Sequence, residues 1–425
     1  MVKLIYLVLD GVADRLVDEK TSLESAVKPG LDSLARQGIC GIMYTVGKGY
    51  APESDVAVLS ILGYEPEKYY TGRGPLEALG AGIRIREGYE VAFRANFATI
   101  DPETKRIIDR RVGRSLLTEE ARELARAVDG LELGLYEGYA RVKATIGHRA
   151  VVVIGSRKYM LSDNVDNTDP AYTRKGKISV AIKDYKPYLK KAVPLDDTVE
   201  ARRTAELANI FTEKVIEILD NHPVNKKRAE KGLLKANLIL LRDAGGRIPR
   251  LPPIKQLHGL DFASITEMPV EKGIAIAAGM KPIEVPPPTP DKKKDYETRL
   301  KATLEALEQH DAVYVHLKGP DEPGHDGDKE KKIKAIEDID KYYVQPLLEK
   351  ISLDETAILV TADHATPPTV KAHTDDPVPV ILAYGKLEPD PTEKFSEKEC
   401  YEKGSLGIIE HGYQLLPLVI EKIKK

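Results

Sequence analysis

Residues able to bind metal ions follow several hydrophobic segments of this chain, and no other feature restricts its fold as much. LIYLVLD ends in Asp10, AVYVHLKGPDEPGHDG contains Asp321 and His325, and AILVTADH ends in Asp363 and His364. Each apolar stretch has the length and composition of a buried β-strand. Open α/β sheets bind ligands outside the carboxyl ends of their strands, so residues far apart in sequence can meet there. The sequence therefore predicts an α/β fold with a polar site at one sheet edge.

Two further residues complete a set that suits two divalent cations. His373 lies beyond the Pro367-Pro368 loop, and Ser54 lies in APESDVAVLSILGY, a pattern typical of a loop entering a helix with Pro52 in its first turn. Carboxylates and imidazoles bind Mn²⁺ and Zn²⁺. In DEPGHDG, a tight loop across the Pro-Gly turn can direct Asp321 and His325 at one ion. Two such ions about 4 Å apart stabilise the attacking and leaving oxygens of a phosphoryl transfer. A serine near the positive end of a helix favours phosphate, so the set predicts transfer through a phosphoserine.

Each of these residues, taken alone, has an ordinary structural explanation. Asp10 precedes a glycine and could be a turn residue, Ser54 could cap a helix, and His325 could be a surface histidine. The complete set, in order and at strand ends or a helix start, favours the metal site. His316, inside a buried strand, is interpreted as a hydrogen-bonded core residue. The other histidines outside the set are interpreted as structural or solvated, His148 excepted: His222, His258, His310 and His411.

Composition limits the classes of partner. The chain has 425 residues, enough for two domains, and a net charge of -3, which gives no reason to expect nucleic acid or an anionic membrane. Cys40 and Cys400 are the only cysteines, too few for a disulfide framework or a thiolate metal site. No signal peptide and no apolar stretch of roughly 18 residues is present, so we expect a cytoplasmic protein. The oligomeric state is left open, a homo-oligomer included.

The order of the segments indicates one domain inserted into another. Residues 69–244 have their own strands (YEVAFRANFATI, RAVVVIGS, NLILLRD) and helices (TEEARELARAV and the segment starting TVEARRTAELAN). After GGRIPRLPPIKQ, the segments FASIT, GIAIAAG, AVYVHLKG, AILVTADH and PVPVILAYG are each interpreted as a strand. We therefore expect a doubly wound α/β core at 1–68 and 245–425, with a second α/β domain inserted at 69–244.

The motifs resemble the alkaline phosphatase superfamily and, within it, the cofactor-independent phosphoglycerate mutases of archaeal type. The resemblance is carried by LVLDGVADR, APESDVAVLSILGY, YYTGRGPLEALGAGI, NLILLRDAGGR, HLKGPDEPGHDGD and TADHATP. It implies an alkaline-phosphatase-like core and an inserted transferase domain that close on the substrate. The implied reaction interconverts 3-phosphoglycerate and 2-phosphoglycerate without bisphosphoglycerate. One departure is that LLRDAGG stands where the bacterial-type mutases have an FNFRxDR run.

The resemblance also implies which residues share each ion. One ion is surrounded by Asp10, Ser54, Asp363 and His364, and the other is held by Asp321, His325 and His373. Mn²⁺ is the expected metal, and the ligands also admit Co²⁺, Zn²⁺ or Mg²⁺. Ser54 would take the phosphoryl group while glycerate reorients without leaving, in a site that excludes water.

The substrate residues follow from the two anionic groups of phosphoglycerate. Arginine is the natural bidentate partner of phosphate and carboxylate, which favours Arg73, Arg114 and Arg242 in the inserted domain. The remaining candidates are His148 and Asp163, for proton transfer or orientation of hydroxyls, and Lys318, for the phosphate. A structural role for these three residues is the alternative.

Two other functions are compatible with the same residues. A phosphopentomutase or a phosphatase would use the metals and Ser54 on another phosphate ester. A catalytically silent binding protein could share the fold, although the complete ligand set argues against it.

Overall fold

The computed structural model describes residues 2–182 and 184–424, which form two compact units. The first unit comprises Met1–Tyr70 and Arg250–Lys425, and the second comprises Thr71–Pro249. The sequence-based limits, after 68 and after 244, fall two and five residues before these boundaries at 70 and 249.

The strands are numbered in chain order: β1 Lys3–Leu9, β2 Gly38–Met43, β3 Glu90–Ile100, β4 Ile107–Asp109, β5 Leu131–Glu132, β6 Gly138–Ala144, β7 Arg149–Ser156, β8 Tyr172–Lys175, β9 Ile178–Ala181, β10 Leu238–Gly245, β11 Phe262–Ile265, β12 Lys281–Pro282, β13 Ala312–Leu317, β14 Thr356–Thr361, β15 Val378–Ala383 and β16 Gly407–Ile409.

The helices are numbered likewise: α1 Ser22–Ser25, α2 Pro29–Arg36, α3 Ser54–Ile61, α4 Pro66–Tyr69, α5 Arg73–Gly80, α6 Thr118–Val128, α7 Val199–Asp220, α8 Pro223–Glu230, α9 Ile254–His258, α10 Pro269–Ala277, α11 Lys292–Gln309, α12 Asp321–Asp326, α13 Lys329–Ile339, α14 Gln345–Leu348, α15 Glu397–Lys403 and α16 Leu415–Lys424.

The first unit is built on an eight-stranded mixed sheet with the order β12-β11-β13-β1-β14-β15-β2-β16. β1 pairs in parallel with β13 on one side and with β14 on the other, whereas β15 is antiparallel to β14 and β2. All six residues of β13, β14 and β15 are buried. A strand buried along its length needs cover on both faces of the sheet, as a doubly wound fold provides. The α/β fold class is confirmed.

The second unit has a separate antiparallel sheet. Its strands run in the order β10-β3-β7-β6-β5, with β4 pairing to β3, and β8 and β9 form a two-stranded ribbon. One core cluster joins this sheet to α6 and α7 through side chains such as Phe97, Leu124, Val152 and Phe211. The second unit therefore buries a hydrophobic core of its own.

Most predicted elements agree with the structure, and three differ. GIAIAAG was expected to be a strand but belongs to α10, where Pro269 occupies the first turn and Glu271 accepts a hydrogen bond from the Met268 backbone. Pro52 was expected in the first turn of α3 but precedes that helix, which begins at Ser54. DEPGHDG was expected to be a tight loop and instead contains α12, a short helix.

None of the helices among the described residues is both long enough and apolar enough to cross a membrane.

Candidate metal centre and arginine clusters

Three adjacent strands bring the candidate ligands of the first unit to one sheet edge. β1 lies between β13 and β14 and runs parallel to both, so their carboxyl ends point the same way. Asp10 follows β1 directly, Asp363 and His364 follow β14, and Asp321 begins α12 shortly after β13. The fold thus collects polar side chains from segments more than 300 residues apart (10 and 321).

The first cluster consists of Asp10, Asp363 and His364. One ligand atom from each residue lies within 4.8 Å of the others, and all three side chains are buried. His364 Nε2 is 3.2 Å from Asp363 Oδ2 and 3.6 Å from Asp10 Oδ1. Ser54, the first residue of α3, has its Oγ 3.1 Å from the same His364 Nε2. These separations suit atoms that share one ion at about 2.1 Å each.

The two carboxylates of the first cluster are each held by one oxygen only. Asp10 Oδ2 lies 3.1 Å from Lys318 Nζ. Asp363 Oδ1 accepts hydrogen bonds from the backbone N–H groups of Gly11 and His364, at 3.1 Å each. Asp10 Oδ1 and Asp363 Oδ2, the oxygens nearest His364, are buried and have no hydrogen-bond partner. Buried anionic oxygens without a partner are costly, and a cation would satisfy both.

The second cluster consists of Asp321, His325 and His373, whose ligand atoms also lie within 4.8 Å of one another. His325 Nε2 and His373 Nε2 are each 3.4 Å from Asp321 Oδ1. Because α12 is helical, residues four apart share a face, and this places Asp321 and His325 together. His325 is exposed and His373 is half-buried, so this cluster is more open than the first.

His373 and His325 each use Nδ1 in a hydrogen bond to a backbone carbonyl, and this leaves Nε2 of each ring available to a metal. His373 Nδ1 lies 2.8 Å from the Pro52 carbonyl and His325 Nδ1 lies 3.3 Å from the Lys371 carbonyl. A carbonyl only accepts, so both Nδ1 atoms must carry the hydrogen. Such outer contacts fix the tautomer and orientation of metal-binding histidines.

Thr366 connects the two clusters. Its hydroxyl donates to Asp321 Oδ1 at 2.8 Å, and its oxygen lies 3.0 Å from His364 Nδ1. Since the hydroxyl hydrogen is committed to Asp321, the threonine oxygen accepts from His364 Nδ1–H. His364 Nε2 faces Ser54 and the first cluster. Burial opposes a charge on His364, but Asp363 and the other nearby carboxylates raise its pKa to about 9, so Nε2 must release a hydrogen before it can bind an ion.

Both carboxylates of the first cluster are ionised near neutral pH. Burial acts to raise the pKa of Asp10, yet the Lys318 ammonium and the imidazoles of His316 and His364 hold it well below its usual range. Burial likewise opposes ionisation of Asp363, and the adjacent His364 lowers that pKa. Ionised oxygens are the form that binds a divalent cation.

Lys318, expected at the phosphate, is engaged in two ion pairs. Its Nζ lies 2.6 Å from Glu271 Oε1 as well as 3.1 Å from Asp10 Oδ2. The Lys318 side chain keeps 22% exposure. Lys318 therefore holds Asp10 in place from the side opposite the unpartnered oxygen.

Arginines of the second unit form a cluster with excess positive charge. Arg242 on β10 is opposite Arg94 on β3, and the Arg242 guanidinium stacks over the Tyr172 ring at 4.2 Å. Arg73 Nε donates to Glu77 Oε1 at 2.9 Å. Burial, then the charges of Arg242 and Arg73, lowers the pKa of Arg94 to about 9. Cations forced together in this way favour an anionic ligand.

A second arginine group lies on a left-handed turn of the same unit. Val112, Gly113 and Arg114 have φ of 55°, 59° and 54°. Asp109 Oδ1 supports the turn by accepting from Arg111 N at 2.7 Å and Gly113 N at 2.9 Å. A cavity of about 350 Å³ is lined by residues of this segment and its neighbours: Ile107, Ile108, Asp109, Arg110, Arg111, Gly113, Arg114, Tyr185 and Pro187. Backbone strain of this kind is commonly retained at functional sites.

His148 and Asp163 have different surroundings. Burial lowers the pKa of His148 to about 3, and the charges of Arg149, Arg111 and Arg114 act in the same direction. A neutral imidazole can therefore accept or donate a hydrogen bond among these cations. Asp163 Oδ2 is occupied by Lys177 Nζ at 2.7 Å and by Gly246 N at 3.0 Å.

Sequence reasoning missed several residues that the fold brings to these sites. Thr366 and Arg94 could have been noticed, since one follows the TADH motif and the other lies in a strand of the insert. Glu271 lies in MPVEKG, just before the segment GIAIAAG, and no local pattern indicates that it reaches Lys318. The direction of the His316 ring was also unpredictable from the sequence.

Comparison with known proteins gives a consistent family assignment. The family described as 2,3-bisphosphoglycerate-independent phosphoglycerate mutase matches residues 35–225. A protein of Aeropyrum pernix with that description is 52% identical over 418 residues, covering 98% of each chain. An Archaeoglobus fulgidus protein described as 2,3-bisphosphoglycerate-independent phosphoglycerate mutase 1 is 43% identical, covering 98% of this chain and 97% of its own.

Two solved structures cover nearly the whole chain. A cofactor-independent phosphoglycerate mutase from Thermoplasma acidophilum is 33% identical, with a TM-score of 0.63 and coverage of 99% of this chain and 100% of its own. A Pyrococcus horikoshii protein is 28% identical, with a TM-score of 0.77 and coverage of 100% of this chain and 97% of its own.

Proposed function

The chain belongs to the family of 2,3-bisphosphoglycerate-independent phosphoglycerate mutases, and we propose that Ser54 carries the phosphoryl group during the interconversion. The enzyme interconverts 3-phosphoglycerate and 2-phosphoglycerate by membership of that family.

The observation that carries this proposal is the position of Ser54. Its Oγ lies at the start of α3 and 3.1 Å from His364 Nε2 of the first cluster. In the first step Ser54 Oγ bonds to phosphorus while the bond from phosphorus to O3 of glycerate breaks. The serine proton ends on O3. In the second step O2 of the retained glycerate bonds to the same phosphorus, the bond to Oγ breaks, and the O2 proton returns to Ser54.

Two divalent cations complete the proposed centre, with Mn²⁺ as the expected metal and Co²⁺, Zn²⁺ or Mg²⁺ as alternatives. The residues fit them: Asp10, Ser54, Asp363 and His364 would hold one, and Asp321, His325 and His373 the other. The unpartnered carboxylate oxygens and the inward Nε2 atoms support this assignment. When bound, such ions neutralise charge that develops on the transferring phosphoryl group.

We assign the anionic groups of the substrate to the arginines of the inserted unit. Arg73, Arg114 and Arg242 were predicted from the sequence, and their neighbours Arg94 and Arg111 join them. The neutral His148 would contact a glycerate hydroxyl. Asp163 is the weakest member of this set, because its carboxylate already has two partners.

The proposal is tested by following 2-phosphoglycerate and free phosphate together, from 3-phosphoglycerate with Mn²⁺ and no added bisphosphoglycerate. We expect the isomer with little phosphate, and loss of turnover on metal removal. Ser54→Ala should reduce turnover more than about a thousandfold, as removal of a covalent nucleophile does.

The matched control is Ser60→Ala, on the same helix but deeper in the core, which should keep most of the activity. Phosphate release without isomer would move the function to a phosphatase. Substantial turnover by the Ser54 variant would exclude the phosphoserine.

A further inference from the structure

His316 is a buried titratable residue of the first unit that the proposed reaction leaves unused. It lies on β13, paired with Val8 of β1, and is entirely buried. Side chains two apart in a strand share a face, so Tyr314 and Lys318 lie on its side of β13. Lys318 already contacts Asp10, which places this face of β13 beneath the first cluster.

The ring of His316 is directed at the two metal-facing oxygens. Its Nε2 is 3.7 Å from Asp10 Oδ1 and 3.6 Å from Asp363 Oδ2. Among the described residues these three atoms are all buried without a hydrogen-bond partner. The nitrogen is therefore nearly equidistant from the two oxygens that would bind the first ion.

The other ring nitrogen indicates that His316 differs from the ligand histidines. Nδ1 of His325 and of His373 faces a backbone carbonyl, and Nδ1 of His364 faces a hydroxyl whose hydrogen is committed to Asp321. His316 Nδ1 instead faces the Tyr314 hydroxyl at 3.0 Å, and this hydroxyl can donate. If it donates to Nδ1, the hydrogen of the imidazole lies on Nε2, where two carboxylates can accept it. This tautomer is assigned from the hydrogen-bonding network.

We propose that His316 is a positioning residue, whose Nε2–H lies between Asp10 Oδ1 and Asp363 Oδ2 and keeps both oxygens turned toward the ion. The inference rests on the proposed metal site and adds a donor that lies outside the ligand set. Two like charges would otherwise repel each other in the empty protein, so the donor prepares the site before the ion arrives. Tyr314 acts through His316 by fixing the tautomer.

The test compares Mn²⁺ affinity, by competition with a chelator, in a His325→Ala background where the exposed second cluster has lost a ligand. In that background His316→Leu should weaken binding by about 10- to 100-fold, the usual effect of removing a partner of a ligand. His316→Gln can still donate and should recover much of the loss. Tyr314→Phe should give a smaller loss in the same direction, and it decides the question if the leucine variant does not fold.

The control is His258→Asn, since His258 is a buried histidine of the same unit whose Nε2 contacts the Leu62 carbonyl. It should leave Mn²⁺ affinity unchanged. Nitrogen couplings to bound Mn²⁺, measured by electron spin echo spectroscopy, should come from one histidine in the parent and in every folded His316 or Tyr314 variant.

Equal affinity in parent and in the His316 and Tyr314 variants would overturn the positioning role while the metal site stands. Loss of a nitrogen coupling in His316→Leu would overturn it by making His316 a ligand. A parent that binds no Mn²⁺ would remove the proposed metal site itself, and the positioning role with it.

Discussion

Glu397 is a buried carboxyl group whose surroundings disfavour its charge. Asp14 N donates to its Oε1 and the Thr21 hydroxyl donates to its Oε2, both at 2.7 Å. Burial and the nearby Asp14 carboxylate nevertheless raise the pKa of Glu397 to about 7. Lys332, fully buried, donates to Asp14 Oδ1 at 2.7 Å and is the cation of this group.

The raised pKa of Glu397 predicts a pH-dependent stability. Between its ordinary pKa of 4.5 and its folded pKa of about 7, the folded protein holds a proton that the unfolded chain releases. Glu397 therefore lowers the free energy of unfolding as pH rises through that range. Glu397→Gln should stabilise the protein at pH 8 by roughly 3 kcal/mol, at about 1.4 kcal/mol per pKa unit, and hardly at pH 5. Urea unfolding at both pH values measures the difference, and a pH-independent gain would contradict it.

At this scale the sequence identifies residue types but not the direction in which they point. Asp10, Asp363 and His364 could be singled out because each ends an apolar segment. His316 was expected to be a buried, hydrogen-bonded residue, and it is buried with one hydrogen-bonded nitrogen. Its Nε2 faces the carboxylates of Asp10 and Asp363 because β13 and β14 both pair with β1. No local sequence pattern predicts this pairing between distant segments.

Helix α12 shows how one short element can determine the geometry of the second cluster. A β-carbon added at Gly324 would lie 2.2 Å from the Thr366 carbonyl oxygen and 2.9 Å from its Cγ2. Since a backbone oxygen cannot move cheaply, α12 would have to shift and carry Asp321 and His325 away from Thr366. Close packing of this helix on the Thr366 loop is therefore a condition for the cluster.

Gly324→Ala should cost about 1–3 kcal/mol of stability, as overpacking does, and reduce bound metal from two ions toward one. Metal analysis after dialysis, with urea unfolding, measures both effects. Gly246→Ala is the control, because its β-carbon would only reach ordinary contact with Asp163 at 3.6 Å. An alanine variant at 324 that kept both ions would show that α12 tolerates the shift.

The elements were predictable where periodicity was unambiguous. The alternation in β3 and the helical spacing in α6 gave the right assignment. The segment GIAIAAG did not, because its alternating Ile and Ala fit a strand as well as a buried helix. The decisive signals precede it: Pro269 in the first turn and Glu271 three residues after Met268.

At the scale of the whole molecule, the inserted unit should fold on its own. It buries a core cluster that joins its sheet to α6 and α7. An isolated 71–249 fragment is expected to show cooperative thermal unfolding by circular dichroism. Phe211→Ala in the fragment should cost about 3–5 kcal/mol, because Phe211 is fully buried in that core. A fragment without a cooperative transition would show that the insert depends on the rest of the chain.

The division of the chain could be expected from segment order, since strand and helix alternation stops near 69 and resumes near 245. The exact limits could not, because the return segment GGRIPRLPPIKQ has no periodicity to mark a boundary. The strand order of the antiparallel sheet in the inserted unit could not be predicted from the sequence either. Strand partners are determined by packing and not by local composition.

The two ends of the inserted unit lie side by side, with the Thr71 hydroxyl donating to the Arg247 carbonyl at 2.9 Å. A segment whose ends meet can be removed, replaced or relocated in a gene as a single cassette, leaving only a short gap to be rejoined. The sheet that carries the proposed metal centre would then stay unchanged when the cassette is exchanged, and under the proposed function such an exchange changes the accepted phosphate ester.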